Sequence, residues 1–321
     1  MSQVCAVEKE NVVMRSGDCA VTILPSLGGK IASILVGEQE LLQSPLAPYA
    51  PRTRTMSFDE ADASGWDECL PSVAACTAET EAGLAAIPDH GDLWRVEWQP
   101  MVKSADSVTY RGECFSLPLR LERTVTLSES AKGWQLSLGY WVTNLAMEPT
   151  PWSWAAHPLF VAEAGDRIVL PASIQQLRLE GSGGARLGKG GDTVSWPVAT
   201  LADGSRSDMS VAQSPDSGIG DKLFAGPLNE SENWCALERP KAGVRIKVGF
   251  DPVATPYLGL WICYGGWPER PGPKQVCVAL EPATAPVDSL AEKGPWSRVL
   301  APGDCFCWSM TVDIEPIASV S

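Results

Sequence analysis

The two histidines of this 321-residue chain lie in short segments that combine proton carriers, carboxylates and aromatic rings. His90 lies in Ile-Pro-Asp-His-Gly-Asp-Leu-Trp, and His157 lies in Trp-Ser-Trp-Ala-Ala-His-Pro-Leu-Phe. Histidine is the side chain whose ordinary pKa lies nearest neutrality, so it is the usual proton carrier in acid–base chemistry. Both histidines are therefore candidate catalytic residues, with an ordinary structural role as the alternative for each.

Carboxylates occur beside apolar residues in two further segments. Asp67 and Glu68 follow Trp66 in Gly-Trp-Asp-Glu-Cys-Leu-Pro, and Glu281 ends the apolar run Val-Cys-Val-Ala-Leu before a proline. A carboxylate at the end of a buried strand is partly desolvated, which raises its pKa toward a value useful for a general base. A structural ion pair is the alternative for Glu281. For Asp67, Glu68 and Asp89, cation binding and ordinary hydrogen bonding are both open.

Tryptophans are concentrated in or near the same segments. An indole has a flat apolar face and one N–H donor, which suits contact with the C–H face of a pyranose ring. Packing in the core of a β-protein is the alternative for each of them. The five tryptophans concerned are Trp66, Trp94, Trp152, Trp154 and Trp267.

The composition narrows the class of protein and of partner. The formal net charge of −14 argues against a nucleic-acid groove or an anionic membrane surface, because both require clustered Lys and Arg. The hydrophobic content of 45% and the charged content of 20% are typical of a folded globular chain. No window contains the ~20 apolar residues needed to cross a bilayer, and the first ten residues do not resemble a signal peptide. We therefore expect a cytoplasmic protein with a small-molecule partner.

The ten cysteines do not form a recognisable metal or redox motif. The closest pairs are Cys305 with Cys307 and Cys69 with Cys76, and neither has the Cys-x-x-Cys spacing. We expect free thiols in a reducing compartment and no metal site.

Short alternating runs dominate the sequence and predict β-strands with one buried face. Near-continuous apolar runs at 257–263 and 276–280 predict central strands that are buried on both faces. Together with frequent Gly and Pro, these patterns predict a single all-β domain over residues 1–321, built as a large antiparallel sandwich. A Gly/Ser-rich segment at about 181–221 is predicted as a loop region that either covers a cleft or has no such role. The alternating runs are residues 108–112, 119–127, 134–142 and 244–248.

The order of several short motifs resembles the aldose 1-epimerase (galactose mutarotase-like) family. The first is Pro-Ser-Leu-Gly-Gly-Lys-Ile at 25–31, and the last is Leu-Ala-Pro-Gly-Asp at 300–304. Between them come Gly-Trp-Asp-Glu-Cys, Pro-Asp-His-Gly-Asp-Leu-Trp, Trp-Ala-Ala-His-Pro and Leu-Glu-Pro-Ala-Thr-Ala-Pro. The resemblance covers nearly the whole chain and implies a large antiparallel β-supersandwich that interconverts the α and β anomers of a sugar.

The resemblance also implies a role for each candidate residue. Glu281 would be the general base for the anomeric hydroxyl, His157 the acid for the ring oxygen, and His90 the group that stabilises developing charge. Substrate binding would fall to the aromatic and charged residues nearby, without a metal or organic cofactor. The implied substrate-binding residues are Trp66, Asp67, Glu68, Asp89, Trp154 and Arg54, and Arg52 or Arg54 could receive a sugar phosphate.

Three functions are therefore in competition. The first is a mutarotase acting on a free or phosphorylated aldose, as a monomer or homodimer. The second is a non-catalytic carbohydrate-binding protein on the same fold, since one fold hosts several functions. The third is an interaction domain without a ligand, which would not require both histidines and a strand-end glutamate.

Overall fold

The computed structural model describes residues 11–318, which form strands joined by tight turns. The strands are, in chain order, β1 Val12–Ser16, β2 Cys19–Leu24, β3 Lys30–Val36, β4 Gln39–Glu40, β5 Trp66–Cys69, β6 Cys76–Thr80, β7 Gly83–Ile87, β8 Gln99–Lys103, β9 Ser107–Glu113, β10 Leu119–Ser130, β11 Gly133–Asn144, β12 Thr150–Trp152, β13 Ala155–Val161, β14 Arg167–Val169, β15 Gln176–Ser182, β16 Thr193–Ser195, β17 Val198–Thr200, β18 Arg206–Asp208, β19 Ile219–Ala225, β20 Trp234–Arg239, β21 Val244–Phe250, β22 Tyr257–Tyr264, β23 Val276–Ala283, β24 Arg298–Leu300 and β25 Cys305–Pro316. The helical elements are short 3₁₀ turns at Pro25–Leu27, Leu93–Arg95, Gly183–Ala185 and Pro215–Ser217. None of the helices in residues 11–318 is long and apolar enough to cross a membrane.

Two large antiparallel sheets make up most of the structure. The larger has 11 strands in the order β1-β2-β3-β5-β13-β23-β22-β19-β15-β16, with β4 paired to β3. The smaller has eight strands in the order β14-β20-β21-β25-β11-β10-β9-β8. One large hydrophobic cluster draws buried side chains from both sheets, so the sheets form a sandwich. The all-β antiparallel supersandwich predicted from the sequence is confirmed.

The alternating runs predicted as strands are all strands, and their buried positions follow the two-residue period. In β10 the residues Leu119 to Leu127 alternate between buried and half-buried positions along one strand. The two apolar runs predicted as central strands lie in β22 and β23, which are adjacent and almost entirely buried. Because their two faces contact different sets of apolar side chains, these strands have no solvent-facing side.

The candidate residues lie on neighbouring strands at the centre of the larger sheet. Residues of β13 pair with β23 in a register that joins Ala155 to Ala283 and Leu159 to Ala279. The same register places His157 directly opposite Glu281. Side chains at directly opposite positions lie on the same face and within contact distance. The order of the strands thus brings a histidine and a glutamate 124 positions apart into one place.

The segment 181–221 begins in the last residues of β15 and ends in the first residues of β19, and between them it contains the short strands β16 to β18 and two 3₁₀ turns. It packs through Leu187, Val194 and Trp196, which are buried in the main core. The nine cysteines among residues 11–318 are all free thiols.

Candidate active site

A cavity of about 160 Å³ lies where the central strands of the larger sheet meet the loops that follow them. Both histidines line it, and Glu281 lies directly behind the lining. The lining residues are Phe58, Val73, Ala74, Asp89, His90, His157, Lys222, Trp261, Trp267, Gln275 and Asp288. The cavity therefore combines titratable groups with aromatic rings in a space the size of one small molecule.

Glu281 and His157 form the central pair of this site. Nε2 of His157 lies 3.9 Å from Oε1 of Glu281, and both side chains are almost completely buried. Neither Oε1 of Glu281 nor Nδ1 of His157 has a hydrogen-bond partner in the structure. Buried polar atoms without a partner are costly, and they are rare outside sites that bind water or ligands. Such atoms also occur in the core, at the indole nitrogens of Trp66 and Trp308, so the position of Glu281 and His157 at the cavity, together with the missing partners, makes them the candidate reactive pair.

A lysine supplies the second partner of the glutamate. Nζ of Lys222 donates a hydrogen bond to Oε2 of Glu281, and it lies 3.4 Å from Oδ1 of Asp288. Burial would lower the pKa of Lys222, but the carboxylates of Asp288 and Glu281 raise it above its ordinary value, so the amine is protonated. Burial raises the pKa of Glu281, and the nearby Lys222 counteracts part of that effect.

His90 is presented to the cavity by a turn with a strained backbone. Its φ of 57° lies in the left-handed region, which non-glycine residues adopt rarely and often at functional sites. The next residue, Gly91, has a φ of 66°, and a Cβ there would collide with the carbonyl of Leu70. The imidazole stacks on Phe58 with 3.7 Å between ring centroids. The turn and the stacking together fix the position of the ring.

Asp89 holds the His90 ring from its other side. Its Oδ2 lies 2.7 Å from Nδ1 of His90. Burial would raise the pKa of Asp89, but the hydrogen bond and charge of His90, together with Arg95, lower it below the ordinary value. Asp89 is therefore ionised at neutral pH, and a carboxylate on one ring nitrogen fixes the tautomer and leaves Nε2 for other partners.

His157 differs from His90 in its electrostatic environment. Burial lowers the pKa of His157 well below 6.5, and the positive charges of its neighbours add to that effect. Its ring centroid lies 5.0 Å from that of His90, with the two rings nearly perpendicular. The site thus contains two imidazoles in contact, one buried and neutral at pH 7 and the other held by a carboxylate.

Aromatic rings form the apolar part of the cavity. Trp267 lies 6.1 Å from Phe58 between ring centroids, and Trp261 lines the cavity beside Lys222. The indole of Trp261 donates a hydrogen bond to Gln275, whose amide donates in turn to a backbone carbonyl. The rings therefore have fixed orientations, as is needed for stacking against a ligand.

Several of the predicted substrate-binding residues lie in the core and not at the cavity. Trp66 and Glu68 are completely buried, and the indole of Trp154 donates to Glu68 at 3.0 Å. Arg123 and Tyr140 also donate to Glu68, so both of its oxygens are satisfied inside the sandwich. Since adjacent residues of a strand point to opposite faces, Trp66 and Glu68 face the core together. Trp66, Glu68 and Trp154, which were predicted to bind substrate, are thus buried and do not line the cavity.

Asp67 lies on the same face of the sheet as the site, directly opposite His157 in the strand pairing. Its Oδ2 accepts a hydrogen bond from Lys30 at 2.5 Å, and Lys30 also pairs with Asp62. Asp67 is buried and does not line the cavity. Asp67 therefore lies beside His157 on the neighbouring strand, where its carboxylate pairs with the buried Lys30.

The two arginines suggested for a sugar phosphate contact other residues, away from the cavity. Arg54 is exposed, and its guanidinium lies 5.0 Å from the centre of the Phe115 ring. Arg52 forms an ion pair of 2.6 Å with Asp62, and both side chains are buried. Neither Arg52 nor Arg54 lines the cavity.

A larger groove of about 1040 Å³ lies elsewhere, along residues 167–176 and near residues 195–197 and 226–228. It contains neither histidine nor Glu281, so volume alone does not identify the reactive site. In residues 11–318, no three His, Cys, Asp or Glu side chains are grouped in a way that could hold a metal ion. The small cavity is therefore the candidate site.

Comparisons with known proteins agree with this architecture. The chain superposes on the Slr1438 protein from Synechocystis sp. PCC 6803 with a TM-score of 0.71 and 15% identity, over 98% of this chain and 100% of the other. The superposition on a candidate aldose 1-epimerase from Escherichia coli K12 has a TM-score of 0.68 and 18% identity, and it covers 96% of this chain and 99% of the other. The superposition on a galactose mutarotase related enzyme from Lactobacillus acidophilus has a TM-score of 0.64 and 16% identity, and it covers 97% of this chain and 99% of the other.

The chain has the galactose mutarotase-like fold. No protein-family model matches the sequence, and no curated protein matches it either. At 15–18% identity these superpositions show the fold alone, and the activity has to be argued from the site.

In this galactose mutarotase-like fold the structure also reveals site residues that the sequence reasoning missed. Lys222 contacts Glu281, and Asp288 lies close to Lys222. Other residues of this kind line the cavity, namely Phe58, Trp261 and Gln275. Asp288 lies seven residues after Glu281 in a Pro-rich segment, which is a weak sequence signal. Lys222 follows the Gly/Ser-rich segment directly, and no local pattern distinguishes it from a surface lysine.

Proposed function

We propose that the chain is an aldose 1-epimerase-like mutarotase, which interconverts the α and β anomers of a free aldose. The observation that carries this proposal is the buried pair of Glu281 and His157 at 3.9 Å, with the facing oxygen of Glu281 unpartnered beside a small cavity. Opening and closing a hemiacetal ring requires one group that takes a proton and one that gives a proton, close to each other. The superposed proteins named for this activity add support.

The two imidazoles share the role of proton donor in this proposal. His157 is neutral at pH 7, and a neutral imidazole can donate a hydrogen bond to a substrate oxygen. Oδ2 of Asp89 lies 2.7 Å from Nδ1 of His90, so that carboxylate would stabilise positive charge that develops on the His90 ring during the reaction. In this proposal the imidazole pair supplies the proton that the ring oxygen receives, and His157 is the ring that delivers it.

The reaction then follows in two proton transfers. The O1–H proton moves to Oε1 of Glu281, while the imidazole pair gives a proton to the ring oxygen O5 through His157. The electron pair of the C1–O5 bond stays with O5, and C1 and O1 become the aldehyde of the open chain. Rotation about C1–C2 presents the other face of the aldehyde. The O5 hydroxyl then adds to C1, its proton returns to the imidazoles, and Glu281 returns its proton to O1.

The cavity favours a single uncharged sugar ring. Its volume of about 160 Å³ is below the ~300 Å³ at which pockets for drug-sized ligands begin. Asp89, Asp288 and Glu281 contribute three carboxylates at or behind its wall, against the single ammonium of Lys222. A phosphate or carboxylate on the sugar would meet this excess of negative charge and would be repelled. The flat faces of Trp261 and Trp267 suit the C–H face of a pyranose.

The experiment is anomer exchange measured by saturation-transfer NMR on glucose, galactose, a hexose 6-phosphate and a hexuronate. We expect faster exchange for at least one uncharged aldose, and no acceleration for the two anionic sugars. The same measurement on Glu281→Gln should return the uncatalysed exchange rate. Line broadening without exchange would show a carbohydrate-binding protein, and the absence of any effect on the panel would refute the proposal.

A further inference from the structure

Lys222 reaches the candidate base from two strands away. It lies on β19, which pairs with β22, and β22 pairs with the β23 strand that carries Glu281. The ammonium donates to Oε2 of Glu281 and lies 3.4 Å from Oδ1 of Asp288. The side chains of Lys222 and Glu281 are 10% and 0% exposed, so solvent screens their interaction only weakly.

A glycine on β22, which lies between Phe224 and Glu281 in the strand register, leaves space for the Glu281 side chain. Gly259 stands opposite Glu281 in the strand register, and it has no side chain to occupy the space above the sheet. A Cβ at Gly259 would lie 3.0 Å from Oε2 of Glu281 and 3.1 Å from the Phe224 ring. The missing side chain therefore leaves room for the carboxylate of Glu281, whose Oε2 accepts the hydrogen bond from Lys222.

An isolated carboxylate in such a dry position would bind a proton and could not act as a base. Desolvation of this kind disfavours the charged form strongly, and a nearby cation is what restores it. Lys222 is the cation in hydrogen-bond contact with Glu281 among the described residues. The other titratable or charged groups that face or act on Glu281 are His157, His90, Asp288, Cys69 and Cys277.

We propose that Lys222 is a positioning residue that keeps Glu281 ionised and holds its Oε2, so that the unpartnered Oε1 is presented to His157 and the cavity. The catalytic consequence of this assignment rests on the proposed function, whereas the electrostatic part does not. Asp288 has the opposite effect on Glu281, because a second carboxylate near the site disfavours its ionised form. Lys222 therefore lowers the pKa of Glu281, and Asp288 raises it.

The backbone around Asp288 fixes this arrangement. The carbonyl of Asp288 accepts hydrogen bonds from the N–H groups of Val73 and Ala74 at 3.0 and 2.8 Å. The carbonyl of Val73 in turn accepts from the N–H of His90. The segment 73–74 thus connects the turn of His90 to the carboxylate that shares Lys222, so that the groups are held at fixed separations.

The experiment measures the titration of Glu281 directly and the rate separately. Protein labelled with ¹³C at the glutamate carboxyl carbon is titrated by NMR, with the Glu281 signal assigned by its loss in Glu281→Gln. The variants are Lys222→Met, Lys222→Arg and Asp288→Asn. Lys189→Met serves as a matched control, because Lys189 is an exposed lysine away from the cavity.

We expect Lys222→Met to move the Glu281 titration to higher pH, and Lys222→Arg to restore it toward the wild type. Where anomer exchange is accelerated, the acid limb of its pH profile should move with the titration. A move of one pH unit lowers the rate on that limb about 10-fold. Asp288→Asn should move both curves to lower pH, and Lys189→Met should leave them unchanged. A merely structural role for Lys222 would lower the rate at every pH without moving the limb.

Two results would overturn the proposal. The first is a Glu281 titration in Lys222→Met that coincides with that of the wild type. The second result is needed if Lys222→Met does not fold. In that case, a Glu281 titration in Asp288→Asn that does not move to lower pH would overturn the proposal. If the titrations move as expected but no variant or wild-type protein accelerates anomer exchange, the role of Lys222 stands and the proposed function fails.

Discussion

Replacing Glu281 with glutamine removes the proposed base with the smallest possible change of shape. Glutamine has nearly the same volume, and its amide oxygen can still accept the hydrogen bond that Lys222 donates to Oε2. What the variant loses is the negative charge and the ability to take a proton from the anomeric hydroxyl. The substitution therefore separates the chemistry of this position from its packing.

The size of the effect follows from the role assigned to the carboxylate. A positioned general base contributes typically about 10²- to 10⁴-fold to a rate, which is about 2.7–5.4 kcal/mol of barrier at 1.36 kcal/mol per factor of ten. Breaking a buried ion pair can also cost about 3–5 kcal/mol of stability. In Glu281→Gln, the Lys222 ammonium still has the Asp288 carboxylate 3.4 Å away, and its side chain is 10% exposed to solvent. The loss of stability should therefore be smaller than that range. A domain with about 5–15 kcal/mol of stability then remains folded.

The assay is anomer exchange of the best sugar from the panel, with urea unfolding measured on the same samples. We expect Glu281→Gln to lose at least about 100-fold of the catalysed rate. Glu79→Gln is the matched control, since Glu79 is exposed on β6, and it should retain the full rate. A folded Glu281→Gln protein with more than about a tenth of the wild-type rate would show that Glu281 is not the base.

Three further predictions concern the neighbours of this base. Because burial holds the pKa of His157 well below 6.5, the unfolded chain binds a proton below pH 6.5 that the folded chain does not. The free energy of unfolding should therefore fall as the pH drops below 6.5, by up to about 1.4 kcal/mol per pH unit, and urea unfolding of His157→Gln should lack this part of the slope. Asp89→Asn removes the carboxylate that orients His90, and saturation kinetics should show a kcat about 10-fold lower with little change in KM, in contrast to a binding defect that raises KM alone. Gly259→Ala places a methyl group 3.0 Å from Oε2 of Glu281 and should lower kcat about 10-fold through misplacement of the carboxylate, while an unchanged kcat would show that the strand adjusts at no cost.

The fold could be predicted from the sequence because the signal for strands is local. Alternation in segments such as 119–127 depends only on which residues face the core, and a two-residue period reports that directly. The apolar runs at 257–263 and 276–280 were equally informative, since strands covered on both faces need no polar positions. The structure places them side by side, as β22 and β23.

The site could be predicted only in part, since contacts between distant strands depend on the register. Glu281, His157 and His90 are brought together as the motif order implied, and Asp89 joins them through its contact with His90. The Lys222 contact spans 59 positions and two intervening strand pairings, which no local pattern encodes.

The placement of Trp66 and Glu68 depends on the alternation of side chains along a strand. Adjacent residues of a strand point to opposite faces, so a segment that carries Asp67 toward the site must direct its two neighbours into the core. The motif Trp-Asp-Glu lies in one strand, which divides its residues between two faces of the sheet. Alternation within the motif therefore places Asp67 on one face of the sheet and Trp66 and Glu68 on the other.

Two buried glutamates of the same sheet illustrate how environment divides structure from chemistry. Glu68 accepts hydrogen bonds from Arg123, Tyr140 and Trp154, so both of its oxygens are satisfied inside the core. Glu281 accepts one, from Lys222, and its other oxygen has no partner. A fully bonded carboxylate has no oxygen free to take a proton from a substrate, whereas a carboxylate with one oxygen held and the other free is oriented for proton transfer. The number of donors around each carboxylate therefore separates two equally buried glutamates: Glu68 is fully bonded in the core, and Glu281 has the free oxygen that the proposed base requires.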